Sequence, residues 1–543
     1  MKKKKEIFIV FVLFFVLQIF LQFINGAFRS EFGGHPDEVG HYVTGLMVKE
    51  FIESGNWANP IQFAEQYYLH YPKVAFGHWP PFFYLAQAVW MILFSASQLS
   101  IISMMAFLTA ILSTLIYYTV KTRTNLIYGI SAGVLFLFTP LIQNYSIMVM
   151  AEILVALLCF AATLVWSKYM DSPNVKNAIA FSILSSLAIM TKGNALLMAL
   201  LPPLSIVITR KFRILQNRSL WYIPIMVVLI CSLFYLKTLD MVQNGWEEEI
   251  SYFQYIKEAL PFYAFNLVKV LGYGLSVVVL SGLIFIFRDK KKEISLWVSF
   301  SALIISVLIF HCFVPSGFAR RHLVTAIPPL IVILIVGIAV LEKMIDSKFN
   351  QKPRIVLLLF IFFIFATETF NLREKEWSGF RQIAKDLIEQ TSSPNSVFIV
   401  SSDSTGEGMF VSEVALLQSR PKHIILRSSK TFSTSRWSGA QYRARFSATD
   451  QIKDYLDSIP VEYLIVDKSI KEKRKRKHNR QIEEMVVSYK NDFEFIGTYP
   501  IIRDQLIYQN AIDVYRLKAE SYERSNKINI NMENMLGREI KEK

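Results

Sequence analysis

The sequence predicts a polytopic α-helical membrane protein that carries a small C-terminal α/β domain. Three observations predict it. The 543 residues are 53% hydrophobic and include 43 phenylalanines, with a mean hydropathy of +0.35. The apolar residues fall in runs of about 20, the length that carries a helix across a bilayer. Beyond residue 371 these runs stop, and short β-rich segments alternate with helical ones.

The runs near 7–24, 101–120, 126–143, 148–167, 177–190, 194–209, 220–236, 266–287, 294–313, 322–341 and 355–370 read as about eleven spans. Each must be helical, because hydrocarbon satisfies no exposed backbone group. Met1–Lys5 followed by Glu6–Ile24 has the layout of a signal peptide. Its apolar stretch is long, however, and only a weak Asn25-Gly26-Ala27 site follows, so it reads as a retained first span. With Lys2–Lys5 inside, Lys121 and Arg123, Lys168, Arg210–Arg213, Arg288–Lys292 and Lys343–Arg354 all fall on the cytoplasmic side. This pattern accounts for the net charge of +15 without a nucleic-acid partner. Counting Pro81–Ala96 as a further span would reverse every later cluster, so that segment is expected to lie in the interface or re-enter. Its aromatic residues, with Trp79 before it, suit the headgroup level.

Three regions are then expected on the outer face: 25–100, 237–265 and everything after 371. The tail reads as strands at Ser396–Ser401, His423–Leu426, Glu462–Asp467, Phe493–Tyr499 and Asp513–Leu517. Helices are expected at Gly379–Gln390, Thr449–Ser458 and Ile482–Lys490. The chain therefore divides into a membrane domain (1–370), an extracytoplasmic α/β domain (371–520) and a polar tail (521–543). The basic run Lys471–Arg480 reads as a solvated loop, with contact to anionic headgroups as the sharper alternative. Glu247-Glu248-Glu249 reads as a solvated loop, and Cys159, Cys231 and Cys312 as small buried hydrophobes.

Chemistry-bearing residues gather in the first outer loop. Asp37-Glu38 lies between His35 and His41, and Lys73 and His78 precede the diproline Pro80-Pro81. Further on come Glu152 at the mouth of an apolar span, Thr191-Lys192-Gly193, and Arg320-Arg321-His322. A charge at such a position is costly unless it is paired or faces a cavity. Lys192, Arg320 and Arg321 also fall on the outer side, against the positive-inside bias. For His311 and His322 a structural role is the better reading, and the phenylalanine stripes are packing or lipid-facing residues.

In order and spacing these motifs resemble the GT-C glycosyltransferases that use polyprenyl-phosphate sugars, among them the protein O-mannosyltransferases and the aminoarabinose transferases of lipid A. Asp37-Glu38 is similar to their acidic pair after the first span, and His78-Trp79-Pro80-Pro81 to their diproline motif. Thr139-Pro140 with Tyr145–Glu152, Thr191-Lys192-Gly193, and Arg320–His322 with Pro328-Pro329 are weaker echoes. The likeness covers roughly the first 340 residues. Glu152 departs from the Asp usual in the aminoarabinose transferases, and the Asp37-Glu38 pair is closer to the mannosyltransferases.

The resemblance implies transfer of a sugar from a lipid phosphate to an acceptor hydroxyl at the outer face of the membrane, and the small-residue and Lys/Ile-rich composition fits a bacterial inner membrane. The acceptor is a glycan, a lipid or a protein. Asp37 is the expected base, since a carboxylate can take the hydroxyl proton, with Glu38 orienting it, binding the acceptor or ligating a metal. Lys73, Lys192, Arg320 and Arg321 are expected to hold the leaving phosphate. No cofactor is certain; His35, His41, His78, Glu152 and His322 are candidates for substrate contact or a divalent-ion site. A transporter or flippase is the alternative. It predicts internal repeats and midplane polar residues, whereas these charges cluster at one face.

Overall fold

The computed structural model describes residues 2–541 apart from 56, 76, 246–249, 290–292, 346–351, 392, 394, 419, 436–440, 519–528 and 532–538. The acidic run Glu247–Glu249 and most of the polar tail lie outside the described residues.

Sixteen helices come first: α1 (Lys2–Ile24), α2 (Pro36–Ser54), α3 (Pro60–His70), α4 (Phe82–Leu93), α5 (Gln98–Lys121), α6 (Leu126–Leu137), α7 (Pro140–Ser146) and α8 (Glu152–Asp171). Then follow α9 (Val175–Ile189), α10 (Leu201–Thr209), α11 (Arg218–Gly245), α12 (Tyr252–Leu271), α13 (Tyr273–Asp289), α14 (Ile294–Phe313), α15 (Ile327–Ile345) and α16 (Lys352–Phe370). By length and composition, six apolar helices among the described residues can each cross a bilayer, and the total is eight if each of two bent pairs is one span. The expected span over 266–287 is not one straight helix. Gly272, at φ 79°, breaks it, so that α12 and α13 meet at 93°. The expected 126–143 span is likewise bent by 59°, because Pro140 cannot continue the helix that ends at Leu137. The segment 177–190 appears as a helix of 15 residues, and 194–209 as a 3-10 turn leading into α10.

The loop between α1 and α5 is built of helices. In α4, 12 residues extend about 18 Å, short of the roughly 30 Å of a hydrocarbon core. It packs against α2 instead. The start of α2 is strongly specified: Pro36 takes the first helical position, and the His35 side chain accepts the Asp37 amide hydrogen bond. Gly55, in the left-handed region, ends it.

The C-terminal domain opens on β1 (Trp377–Ser378) and α17 (Phe380–Gln390). It continues through β2 (Val397–Ser401), α18 (Ser404–Leu417), β3 (Ile424–Arg427), α19 (Ser428–Thr431), β4 (Ser433–Thr434), β5 (Arg443–Ala444), α20 (Thr449–Asp457), β6 (Val461–Asp467), α21 (Lys477–Ser488), β7 (Phe493–Arg503) and β8 (Leu506–Leu517). Six strands form one sheet in the order β1-β7-β8-β6-β2-β3. Strands β3, β2 and β6 are parallel, with α18 crossing between β2 and β3; β8, β7 and β1 add antiparallel. Strand β2 is buried along its whole length, which fits its unbroken apolar run Val397–Val400. Within Lys471–Arg480, Lys475 pairs with Glu472 and Glu483, and α21 begins at Lys477, so the last four residues of the expected loop are a helix start.

Candidate active site

Four segments distant in sequence bring four charges together at one end of the helix bundle. Asp37 sits in the first turn of α2, and Glu152 opens α8. A carboxylate there is favoured by the unpaired backbone N–H groups and the helix dipole. Lys192 follows the end of α9, and Arg321 lies in the 3-10 turn before α15. Arg321 Nη1 donates to Asp37 Oδ2 at 2.9 Å, and its Nε lies 3.8 Å from Glu152 Oε1. Lys192 Nζ donates to the same Glu152 oxygen at 2.5 Å. The cations and carboxylates thus alternate in the chain Asp37–Arg321–Glu152–Lys192. His35 borders it, with Nδ1 3.5 Å from Asp37 Oδ2 and Nε2 3.4 Å from Arg321.

Burial alone would raise the Asp37 carboxyl. The neighbouring Arg321 guanidinium, which also donates a hydrogen bond to it, outweighs that and holds it well below the usual carboxylate range. The carboxylate is therefore ionised at any physiological pH. Glu152 Oε2 and Arg321 Nε are buried without a hydrogen-bond partner among the described residues. Unused polar capacity of this kind, next to a part-exposed Asp37, is what a bound phosphate or hydroxyl can take up.

The surroundings fix this chain of charges. A buried amide network reaches from α1 to α7: Gln18 donates to Ser146 Oγ at 3.0 Å, and Gln22 to the Ser146 carbonyl at 2.7 Å. It sets the path of residues 147–151, which lead to Glu152. The Phe82 amide donates to the Met190 carbonyl at 2.8 Å, joining the diproline motif to the Thr191-Lys192 turn. His41 stacks on Trp79 with ring centroids 4.2 Å apart, and its Nδ1 lies 2.9 Å from the Tyr84 hydroxyl. Burial lowers His41 to about 3, so it is a neutral spacer between α2 and the diproline motif. His78 is half-buried, with its ring centroid 5.8 Å from that of Trp79.

Other expected site residues stand elsewhere. Glu38 is fully buried and turned away from Asp37. It accepts from Lys375 Nζ at 2.6 Å and from the Gly34 and Val149 amides, so the expected role in acceptor or metal binding is corrected to an anchor. Lys73 is also buried, and its Nζ donates to the Ser404 carbonyl and hydroxyl at 3.1 and 3.0 Å. It ties the loop to the start of α18 and does not join Lys192 and Arg321. Burial lowers Lys73 to about 7. His322 lies face to face with His311 at 4.3 Å, and its Nδ1 is 2.8 Å from the Tyr263 hydroxyl, a structural aromatic cluster. Arg320 is exposed beside the site. Among the described residues no three His, Cys, Asp or Glu side chains form a metal-holding group. Asp37 and Glu152 turn to cations. Lys375 escaped the sequence reading because it follows the last apolar run in a polar stretch, Arg373-Glu374-Lys375-Glu376, where charges are ordinary.

Residues 78–235 match the sequence model of the dolichyl-phosphate-mannose-protein mannosyltransferase family. That segment is under a third of the chain and runs from the diproline motif past Lys192. No curated protein sequence matches the chain. The fold is shared with ArnT from Cupriavidus metallidurans bound to undecaprenyl phosphate, at a TM-score of 0.54 and 13% identity, over 93% of this chain and 97% of that one. The apo state of ArnT gives 0.56 and 12% over the same shares. The apo oligosaccharyltransferase of Archaeoglobus fulgidus gives 0.51 and 13%, over 85% of this chain and 69% of that one. The chain therefore shares its overall fold with these solved proteins, and its segment 78–235 is similar to the mannosyltransferase family.

Proposed function

We propose that this chain transfers a sugar from a polyprenyl-phosphate donor to an acceptor hydroxyl on a glycan, lipid or protein at the outer face of a bacterial inner membrane. The single observation that carries the reading is the alternating chain Asp37–Arg321–Glu152–Lys192, with buried polar atoms left unpartnered in it. The likeness to ArnT with undecaprenyl phosphate supports the class of donor.

As the glycosidic bond breaks, its electron pair leaves with the phosphate. Arg321 and Lys192, with Arg320 at the rim, stabilise the growing negative charge. The guanidinium can hold two phosphate oxygens while the ammonium acts as a point charge. The acceptor hydroxyl attacks the anomeric carbon and gives its proton to Asp37. When Arg321 turns to the phosphate, its pull on Asp37 weakens and the carboxylate becomes a better base. Glu152 holds both cations in place.

The test reconstitutes the full chain in nanodiscs with a panel of polyprenyl-phosphate sugars and envelope acceptors, and follows release of polyprenyl phosphate. The wild type is expected to turn over one donor, and Asp37→Asn to lose at least about 10²-fold in kcat while still binding undecaprenyl phosphate. Full activity in Asp37→Asn would move the base elsewhere. Movement of donor across the bilayer without transfer would favour a flippase.

A further inference from the structure

The Lys375–Glu38 pair is unused by the proposed chemistry, yet it is among the most deeply buried ion pairs in the molecule. The side chains are 2% and 0% exposed, and Nζ stands 2.6 Å from Glu38 Oε1. A buried pair of this kind is costly to form, and breaking it by removing one partner leaves an uncompensated charge. The chain also makes room for it. Gly26, at φ +77°, lets the backbone of Lys375 pass so close that a side chain at 26 would strike the Lys375 carbonyl at 2.5 Å. A side chain at 34 would meet the Lys375 stem at 3.1 Å and the Met148 sulfur at 2.6 Å. The Lys375 amide donates to the Asn25 carbonyl at 2.9 Å, and its ammonium lies 5.7 Å from the centre of the Phe32 ring.

What the pair holds is specific. Glu38 Oε2 accepts from the Gly34 amide at 3.1 Å, which closes the turn leading into Asp37. Glu38 Oε1 accepts from the Val149 amide at 3.2 Å, three residues before Glu152. One carboxylate, fixed by one lysine, thereby sets the relative position of the two segments that deliver both acidic members of the site.

We propose that Lys375, acting through Glu38, is the positioning residue that sets the spacing of Asp37 and Glu152. The residue that aligns the membrane site thus comes from the segment joining the last membrane helix to the C-terminal domain. The inference rests on Asp37 and Glu152 being the working carboxylates proposed above.

The test uses the full chain in nanodiscs, as wild type, Lys375→Met, Lys375→Arg and Asp37→Asn. Hydrogen exchange, which needs no substrate, comes first. Lys375→Met is expected to speed exchange at residues 33–42 and 146–152 together, at least tenfold, with strands 397–401 and 461–467 unchanged. Faster exchange confined to 371–381 overturns the proposal. Kinetics follow, with undecaprenyl-phosphate-linked mannose as the donor probe. Lys375→Met is expected to lower kcat about 10²-fold, the loss typical of a small misplacement. KM for the donor and affinity for undecaprenyl phosphate stay within about twofold, and Lys375→Arg recovers most of the rate. A parallel loss of affinity and rate marks a merely structural role and overturns it. Asp37→Asn separates the two claims: full activity there removes Asp37 as the working base on which the positioning role rests, whereas an inactive Asp37→Asn beside a Lys375→Met of wild-type kcat sinks only the positioning role.

Discussion

Asp37, Glu152, Lys192 and Arg321 were legible as single letters because each is an ion in a place that disfavours ions: after a span, at the mouth of one, or on the side that basic residues avoid. Their pairing was not legible, since 284 residues separate Asp37 from Arg321. Glu38 misled for a related reason: adjacency to Asp37 suggested a shared task, but successive residues of a helix point about 100° apart, and one faces the site while the other faces Lys375. Two predictions belong to this scale. Lys192→Ala should weaken undecaprenyl phosphate binding about 10- to 100-fold, the worth of one charged hydrogen bond. Native mass spectrometry of bound lipid measures it, and unchanged affinity would return Lys192 to an ordinary helix-end lysine. Lys73 gives a pH dependence. Burial lowers it to about 7 from an ordinary value of 10.5, so between those values the unfolded chain binds more protons than the folded one. Stability therefore rises with pH across that window. Lys73→Met removes this contribution, so the melting-temperature advantage of wild type over Lys73→Met should grow from pH 7 to pH 9. An advantage that shrinks or stays flat contradicts the burial of a titrating lysine.

Elements were legible where period or composition was strong. The five expected strands correspond to β2, β3, β6, β7 and β8, and three of the helices to α17, α20 and α21. Helix α18 was missed because Ser404-Thr405-Gly406-Glu407-Gly408 has the composition of a turn. It is a helix because Asp403 caps it through the Gly406 amide, and because it is buried against α2 and α17 on most sides, leaving no amphipathic period to read. The membrane helices were blurred at their breaks, where hydropathy runs on through Gly272 and Leu137–Pro140 although the backbone turns. Packing between α13 and α15 yields a prediction at this scale. Gly282 and Gly337 face each other, and a methyl group on Gly337 would lie 3.0 Å from the Gly282 Cα. The partner atom is backbone and cannot swing away, so the helices must part. Gly337→Ala should destabilise the detergent-solubilised protein by about 1–3 kcal/mol, the range for overpacking, read as a lowered melting temperature. Gly274→Ala, with no atom within 4 Å of the added carbon, is the control. Equal effects of the two would refute close packing at this crossing.

At the scale of the molecule, the sequence suggested a membrane domain with a second domain appended, and the contacts show a tighter union. Glu31 accepts the backbone amides of Gly379, Phe380 and Arg381 at 2.9, 3.2 and 2.9 Å, capping α17 from the other domain. Lys73 reaches Ser404, Arg427 donates to the Pro72 carbonyl at 3.1 Å, and Tyr71 donates to Gln418 at 2.8 Å. Glu31, Tyr71 and Lys73 are buried, and each has its partner in the C-terminal domain. Without that domain Glu31, Glu38 and Lys73 would lose the partners that offset their desolvation, and the loop would have to open to rehydrate them. A chain ending at residue 371 should therefore keep its membrane helices but release the loop that carries Asp37. Helical content by circular dichroism should fall only in proportion to the residues removed, while hydrogen exchange over residues 31–42 becomes fast and undecaprenyl phosphate binding drops at least tenfold. An appended module predicts the opposite, a truncated chain that binds the lipid phosphate as the full one does. The distinction matters for the site, because only an integral domain can set the distance between two carboxylates that lie outside it.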